Sequence, residues 1–345
     1  MKIKYSIITL LLFFLTLNLS SCSNKNTGTE KNNGSYKDYS KITAGSVNYY
    51  SNGKMKIISD LKNNSSISDD EEGILIKYIK DNNAYLREKK KDNSNELILG
   101  SNNKENIIEG WNNLKDVKLS PKGDKVFYNK TDSDGSVSLG FYSSADNKFN
   151  EIRTDTLISG NLYEWLDNDS IIYYGVKTEK KINGVFSYNT ENNEEKLLFE
   201  VKKGIIEYLH INKKEILYLV SDFSSTKNLY SLDVKNNKVK SMSNEVQNIE
   251  DLIVMGEKIY VLGKRTNNSM SVYILENGNF KRLVYDFPKN IDIEKGIETN
   301  KEGSILFIGY DETSNKEDVY EIALKEQSIS LLSKKSGEYY FIETN

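Results

Sequence analysis

The chain has 345 residues, of which 37% are hydrophobic and 28% charged, and 47 Lys plus Arg against 50 Asp plus Glu leave a net charge of −3. That length allows one large repeat domain or two ordinary ones, and the weak negative balance supplies no basic field to displace phosphate counterions, which argues against a nucleic-acid partner. Tyr (23) and Phe (12) far outnumber Met (5), which favours strands over helices, and with two Pro in the chain the turns must be built from Asn, Asp and Gly.

Residues 1–22 read MKIKYSIITLLLFFLTLNLSSC. Lys2 and Lys4 make a short positive start, and Ile7 to Leu19 is mostly apolar, interrupted by Thr9, Thr16 and Asn18. The run is short for a membrane span and fits the apolar region of a secretory signal. It ends in Leu19-Ser20-Ser21-Cys22, which resembles the lipobox of bacterial lipoproteins. The resemblance implies cleavage before Cys22, with 1–21 as signal peptide, and lipid (palmitate among the acyl chains) on the Cys22 sulfur. Two or three chains would hold the protein at the extracytoplasmic face of the bacterial membrane, since one chain binds only marginally. In an envelope with two membranes, Ser23 after the lipidated Cys implies sorting to the outer one. Cys22 is the sole Cys in a chain expected where disulfides form, which agrees with a lipidated thiol. Residues 22–43 continue without periodicity and almost without apolar side chains, so they are expected to form a flexible polar tether with a reach of roughly 25 Å.

From Ala44 to the end the pattern is short apolar runs of period two separated by polar turns, and this predicts an all-β domain over 44–345. Two hairpin types alternate. Opening hairpins are read at Ile67–Tyr78, Val117–Tyr128, Tyr163–Tyr174, Tyr208–Val220, Asp251–Leu262 and Ile297–Gly309. Each is followed by a strand with a small or apolar residue before an aromatic one: Ala84-Tyr85, Gly140-Phe141, Val185-Phe186, Leu229-Tyr230, Val272-Tyr273 and Val319-Tyr320. A four-stranded unit recurring at this interval is the period of β-propeller blades. Six units are complete. Val47–Ser59 matches a second hairpin alone, and Glu338–Glu343 is a strand left over, so the ends are expected to meet in one composite blade. Seven blades result, with six or eight as alternatives. The first step is longer than the others and is read as carrying an insert, Asn102–Asp116.

Val117–Tyr128 (VKLSPKGDKVFY) resembles the WD40-like Pro-Asp repeat of TolB-type propellers, whose blades carry an aromatic-Ser-Pro-Asp-Gly-Lys turn. Ser120, Pro121 and Gly123 match, Leu119 replaces the aromatic and Lys122 the Asp. Trp165 restores the aromatic in the next unit without the Ser-Pro. The resemblance implies the propeller and not TolB's role in the envelope.

Catalytic motifs are missing. His210 is the sole His and is expected to be packed or to cap a turn. No His/Cys metal spacing, Gly-x-Ser-x-Gly elbow or Gly-rich phosphate loop occurs. Asp132-Ser133-Asp134-Gly135 opens like a calcium loop but lacks the twelfth-position Glu and reads as a hairpin turn. No catalytic residue, metal ligand or cofactor is therefore assigned. Trp111, in the insert, and Trp165 are the candidates for an exposed binding surface. The expected function is a binding or scaffold module for an envelope protein, peptide or glycan. The alternatives are a carboxylate-based glycan hydrolase or lyase and a sensory or assembly accessory of a membrane complex.

Overall fold

The computed structural model describes residues 36–90, 95–108, 114–131, 137–310 and 316–344. Cys22, Trp111 and the Asp132–Gly135 turn lie outside them. The described strands form seven sheets that pack in a ring, a seven-bladed β-propeller. Blade 1 is composite: Glu338–Phe341, then Val47–Ser51, Lys54–Asp60 and Ser65–Glu71. Blade 2 holds Gly73–Ile79, Ala84–Lys90, Asn95–Ser101 and Lys104–Ile108; blade 3 holds Leu114–Leu119, Lys125–Thr131, Val137–Ser143 and Lys148–Glu151. Blades 4, 5 and 6 follow in the same meander from Leu157–Trp165, Ile205–Asn212 and Val246–Met255, and blade 7 opens with Asn290–Ile291 and Ile297–Thr299.

Period-two alternation explains why the sheets stack. Phe127 faces blade 4 in one apolar cluster, while its neighbours Val126 and Tyr128 face blade 2 in another. Each of the seven junctions between adjacent blades has one such cluster. A single sheet with two apolar faces cannot hide either, and ring closure hides both. The abundant Asn has a structural use. Asn83, Asn147 and Asn193 sit in turns at φ 47°, 53° and 58°, a region Asn tolerates. Their Oδ1 atoms accept hydrogen bonds from Tyr78, Tyr142 and Tyr188, each five residues earlier, at 3.0, 2.8 and 2.9 Å.

The Ser120–Gly123 turn fastens blades together. Gly123 N donates to Ser120 O at 2.8 Å, and Ser120 Oγ accepts from Lys125 N at 3.0 Å. Asn82 of blade 2 donates to Lys122 O, and Lys122 N donates to Asn168 of blade 4, both at 3.0 Å.

The ring closes where the two ends meet. Val47 to Tyr50 pair antiparallel with Phe341 to Glu338, as the composite blade requires. Beyond it, Glu343–Thr344 runs parallel to Gly73–Ile79 and ties the C-terminus to blade 2 as well. The fourth strand of blade 1, Ser65–Glu71, is one that the sequence reading assigned to the next repeat. The first repeat is therefore rephased. Ala84-Tyr85 starts a second strand, and the supposed insert Asn102–Asp116 contains the outer strand of blade 2, Lys104–Ile108.

The folded body also starts before Ala44. Residues 36–43, read as the end of the tether, form a strap over the seam between blades 1 and 2. Tyr39 and Ile42 are buried against Ile57, Leu75, Tyr78, Tyr85 and Ile342. Lys37 N donates to Tyr85 Oη at 3.0 Å, and that hydroxyl donates to Glu105 at 2.5 Å. Glu105 also holds Arg87 in a buried ion pair at 3.1 Å.

Candidate functional site

Antiparallel order puts the turns after second strands, and the links between blades, on one face of the ring. We call it the link face. On it, beside the central channel, lies a cavity of about 650 Å³. Blade 7 contributes Asp292, Glu294, Lys295, Glu298 and Glu317, blade 6 contributes Asp251, and the C-terminal strands contribute Glu338, Tyr340 and Glu343. Ile74, Ile76, Ile297 and Phe341 supply apolar wall. Seven carboxylates thus surround one lysine among the described lining residues. Lys295 lies over the Tyr340 ring, 3.3 Å from its centroid, and 3.7 Å from Glu317.

The channel below is ionisable all round, because each blade's first strand offers it a titratable side chain: Tyr340, Lys77, Lys118, Glu164, His210, Asp251 and Glu298 in turn. Lys118 pairs with Glu164 at 2.7 Å and Lys77 with Glu343 at 3.2 Å. Burial alone lowers the Lys118 pKa, but the adjacent Glu164 charge reverses this and raises it. Burial raises Glu164, and Lys118, Lys77 and His210 outweigh it, so its carboxyl stays below the usual range. His210, expected to be packed or capping, is half-buried, and burial lowers its pKa despite the Glu164 charge.

Among the described residues, no cation pairs with Asp251 or Glu298. Asp251 accepts backbone N–H bonds from Leu252 at 2.8 Å and from Ile297, in the next blade, at 2.9 Å. Gly296 makes this approach possible: it sits at φ 69°, and a Cβ there would lie 2.6 Å from Asp251 Oδ2. Burial still pushes Asp251 up to about 6. Glu298 accepts from Thr299 N at 2.8 Å, yet burial, with the charges of Glu343 and Asp251 added, pushes it up to about 7. Among the described residues no three His, Cys, Asp or Glu side chains are arranged to hold a metal ion.

Trp165, expected to be exposed, is buried. It is 6% exposed between blades 3 and 4, with its indole N–H on Lys118 O at 2.9 Å and its ring edge-on to Phe127. Sequence reasoning missed Asp251, Glu298 and Glu343. The available signal was a charged residue at one phase of the first strand in successive repeats, as in Lys118, Glu164 and Glu298.

These features define the class: a β-propeller with an acid-lined channel mouth. No protein-family model and no curated protein matches the sequence. Solved structures do resemble it. A prolyl endopeptidase structure is 15% identical at a TM-score of 0.60, over 79% of this chain and 43% of that one. The propeller domain of the Trilobed protease from Pyrococcus furiosus is 17% identical at 0.51, over 77% and 86%. TolB from Acinetobacter baumannii is 9% identical at 0.45, over 86% and 64%. The chain thus spans less than two thirds of the TolB chain and less than half of the endopeptidase. At these identities the likeness shows the fold alone.

Proposed function

We propose that the protein is a membrane-anchored extracytoplasmic lipoprotein whose propeller is a binding module, and that its acidic cavity receives a cationic segment of an envelope protein or peptide. The observation that carries the reading is the charge imbalance of the cavity, seven carboxylates against Lys295. A lysine or arginine side chain entering it meets uncompensated negative charge in surroundings less polarisable than water, where attraction is stronger. Affinity capture from envelope extract tests this. The full chain retains a specific partner in low salt, and an Asp251→Asn, Glu298→Gln double variant loses it by tenfold or more. Equal capture by both forms would refute the assignment. Anchoring has its own test: Cys22→Ala abolishes lipid labelling and membrane retention, and unchanged fractionation overturns it.

A second reading has its own observation. Asp251 and Glu298, raised to about 6 and about 7, share a cavity with Glu343, which is paired to Lys77. A protonated carboxyl near an ionised one is the pairing that glycoside hydrolysis uses. Turnover of a glycan that Glu298→Gln abolishes would establish it; a panel without turnover excludes it.

A further inference from the structure

A second concavity, of about 320 Å³, lies at the link-face end of blade 6, away from the channel. Its chemistry is opposite to that of the acidic cavity. Arg265, Lys281 and Arg282 line it against one carboxylate, Glu245, so it carries a net +2 in a chain of net −3. Only four of the chain's 47 basic residues are arginine, and two of the four are here. Lysine suffices for solvated surface charge. A planar guanidinium differs in presenting a rigid fork to carboxylate or phosphate and in stacking on rings.

Arg282 is already oriented for this. Its Nε donates to Val284 O at 2.6 Å and its Nη2 to Tyr285 O at 3.1 Å, and the guanidinium lies 5.2 Å from the Tyr285 ring centroid. Arg265 is held by Glu245 at 2.9 Å. Tyr285 is a large ring left 57% exposed. Tyr273 and Phe280, stacked at 4.7 Å, give the groove a rigid floor, and the amides of Asn268 and Asn279 stand at its edge. Oriented guanidinium, exposed aromatic ring and side-chain amides together suit a ligand with an anion, an apolar ring face and hydroxyl groups.

We propose that this groove binds an anionic saccharide unit, a sugar ring bearing a carboxylate or a phosphate. Its volume is at the small end for ligand sites, suiting one unit of a chain and not a folded protein surface. The ring packs on Tyr285, its anion is taken by Arg282 with Arg265 and Lys281, and its hydroxyls meet Asn268 and Asn279. The assignment is independent of the acidic cavity, so either can fail alone.

Calorimetric titration of the full chain tests it, with oligogalacturonate, glucose 6-phosphate, a neutral oligosaccharide and polyglutamate as probes. The uronate or the sugar phosphate binds, whichever is tighter identifying the anion, and the neutral sugar binds at least tenfold more weakly. Arg282→Lys keeps the charge but loses the fork, and Tyr285→Ala loses the ring; each weakens binding tenfold or more. Lys281→Glu alters an exposed side chain that makes no hydrogen bond or ion pair with the described residues, so it leaves the melting temperature unchanged and weakens binding. Polyglutamate binding as tightly as the sugar, Arg282→Lys binding like the wild type, or no binding of either anionic sugar overturns the proposal.

Discussion

Single residues carry the contacts between blades, and glycines show this best. Gly53 and Gly123 both have positive φ, 78° and 73°, but a Cβ on Gly53 would meet nothing within 4 Å, whereas one on Gly123 would lie 2.2 Å from Ala84 Cβ in blade 2. Gly53→Ala should therefore cost only the left-handed backbone penalty, about 1–2 kcal/mol. Gly123→Ala adds overpacking and should cost roughly 2–5 kcal/mol. Urea melts of the two variants check the difference, and equal losses would show that the blade junction yields. The Ser-Pro-Lys-Gly turn was legible as punctuation because its residue types demand a tight turn. The role of Trp165 was not legible, since an indole in a half-polar strand looks the same whether it faces solvent or the Phe127 ring of the preceding blade.

Among elements, the C-terminal strand bears most on integrity. It supplies the first strand of blade 1 and then the parallel strand on blade 2. Without residues 338–345, Val47–Ser51 becomes an open edge, and such edges recruit other chains. The truncated protein should melt at a lower temperature with a broadened transition and should elute partly as dimers or larger species. An unchanged melt and a monomeric elution would mean that side-chain packing alone closes the ring. Most blades were readable from period-two alternation. Ser65–Glu71 was read as a strand but placed at the start of the next repeat, because SSISDDE, with Ile67 as its one apolar residue, does not show that it pairs outward on Lys54–Asp60. That placement shifted the first repeat by one strand and made an insert out of Lys104–Ile108. The strap escaped notice for a related reason. Tyr39 and Ile42 are isolated apolar residues in a polar stretch, and only the groove they fill shows what they do.

At the scale of the whole molecule, the channel couples charge to stability. Asp251 and Glu298 hold protons more tightly in the folded chain than their ordinary values of 3.8 and 4.5 allow unfolded. Between about pH 4 and 7 the folded state therefore binds more protons than the unfolded one, and these two groups make stability fall as pH rises through that window. A paired carboxylate such as Glu164, held below its usual range by Lys118, acts in the opposite sense and loses its contribution under acid. A Glu298→Gln variant isolates the first effect: its melting temperature should gain on the wild type from pH 5 to pH 8. A constant difference would place Glu298 in open water. The acidic site itself was illegible in the sequence, because Asp251 of blade 6, the blade 7 carboxylates and the C-terminal Glu338 and Glu343 are gathered only when the ring closes.

The strap has a mechanical consequence. Both ends of the propeller are secured at one seam, by the strap on the N-terminal side and by Glu343–Thr344 on the other. A pull applied at the N-terminal end would reach the strap's side-chain contacts first, at Tyr36, Lys37 and Tyr39. The backbone ladder between Val47–Ser51 and Glu338–Phe341 would take load only after those contacts had peeled away. The strap is thus a sacrificial link, and force spectroscopy should record its release as a small early event before the propeller opens.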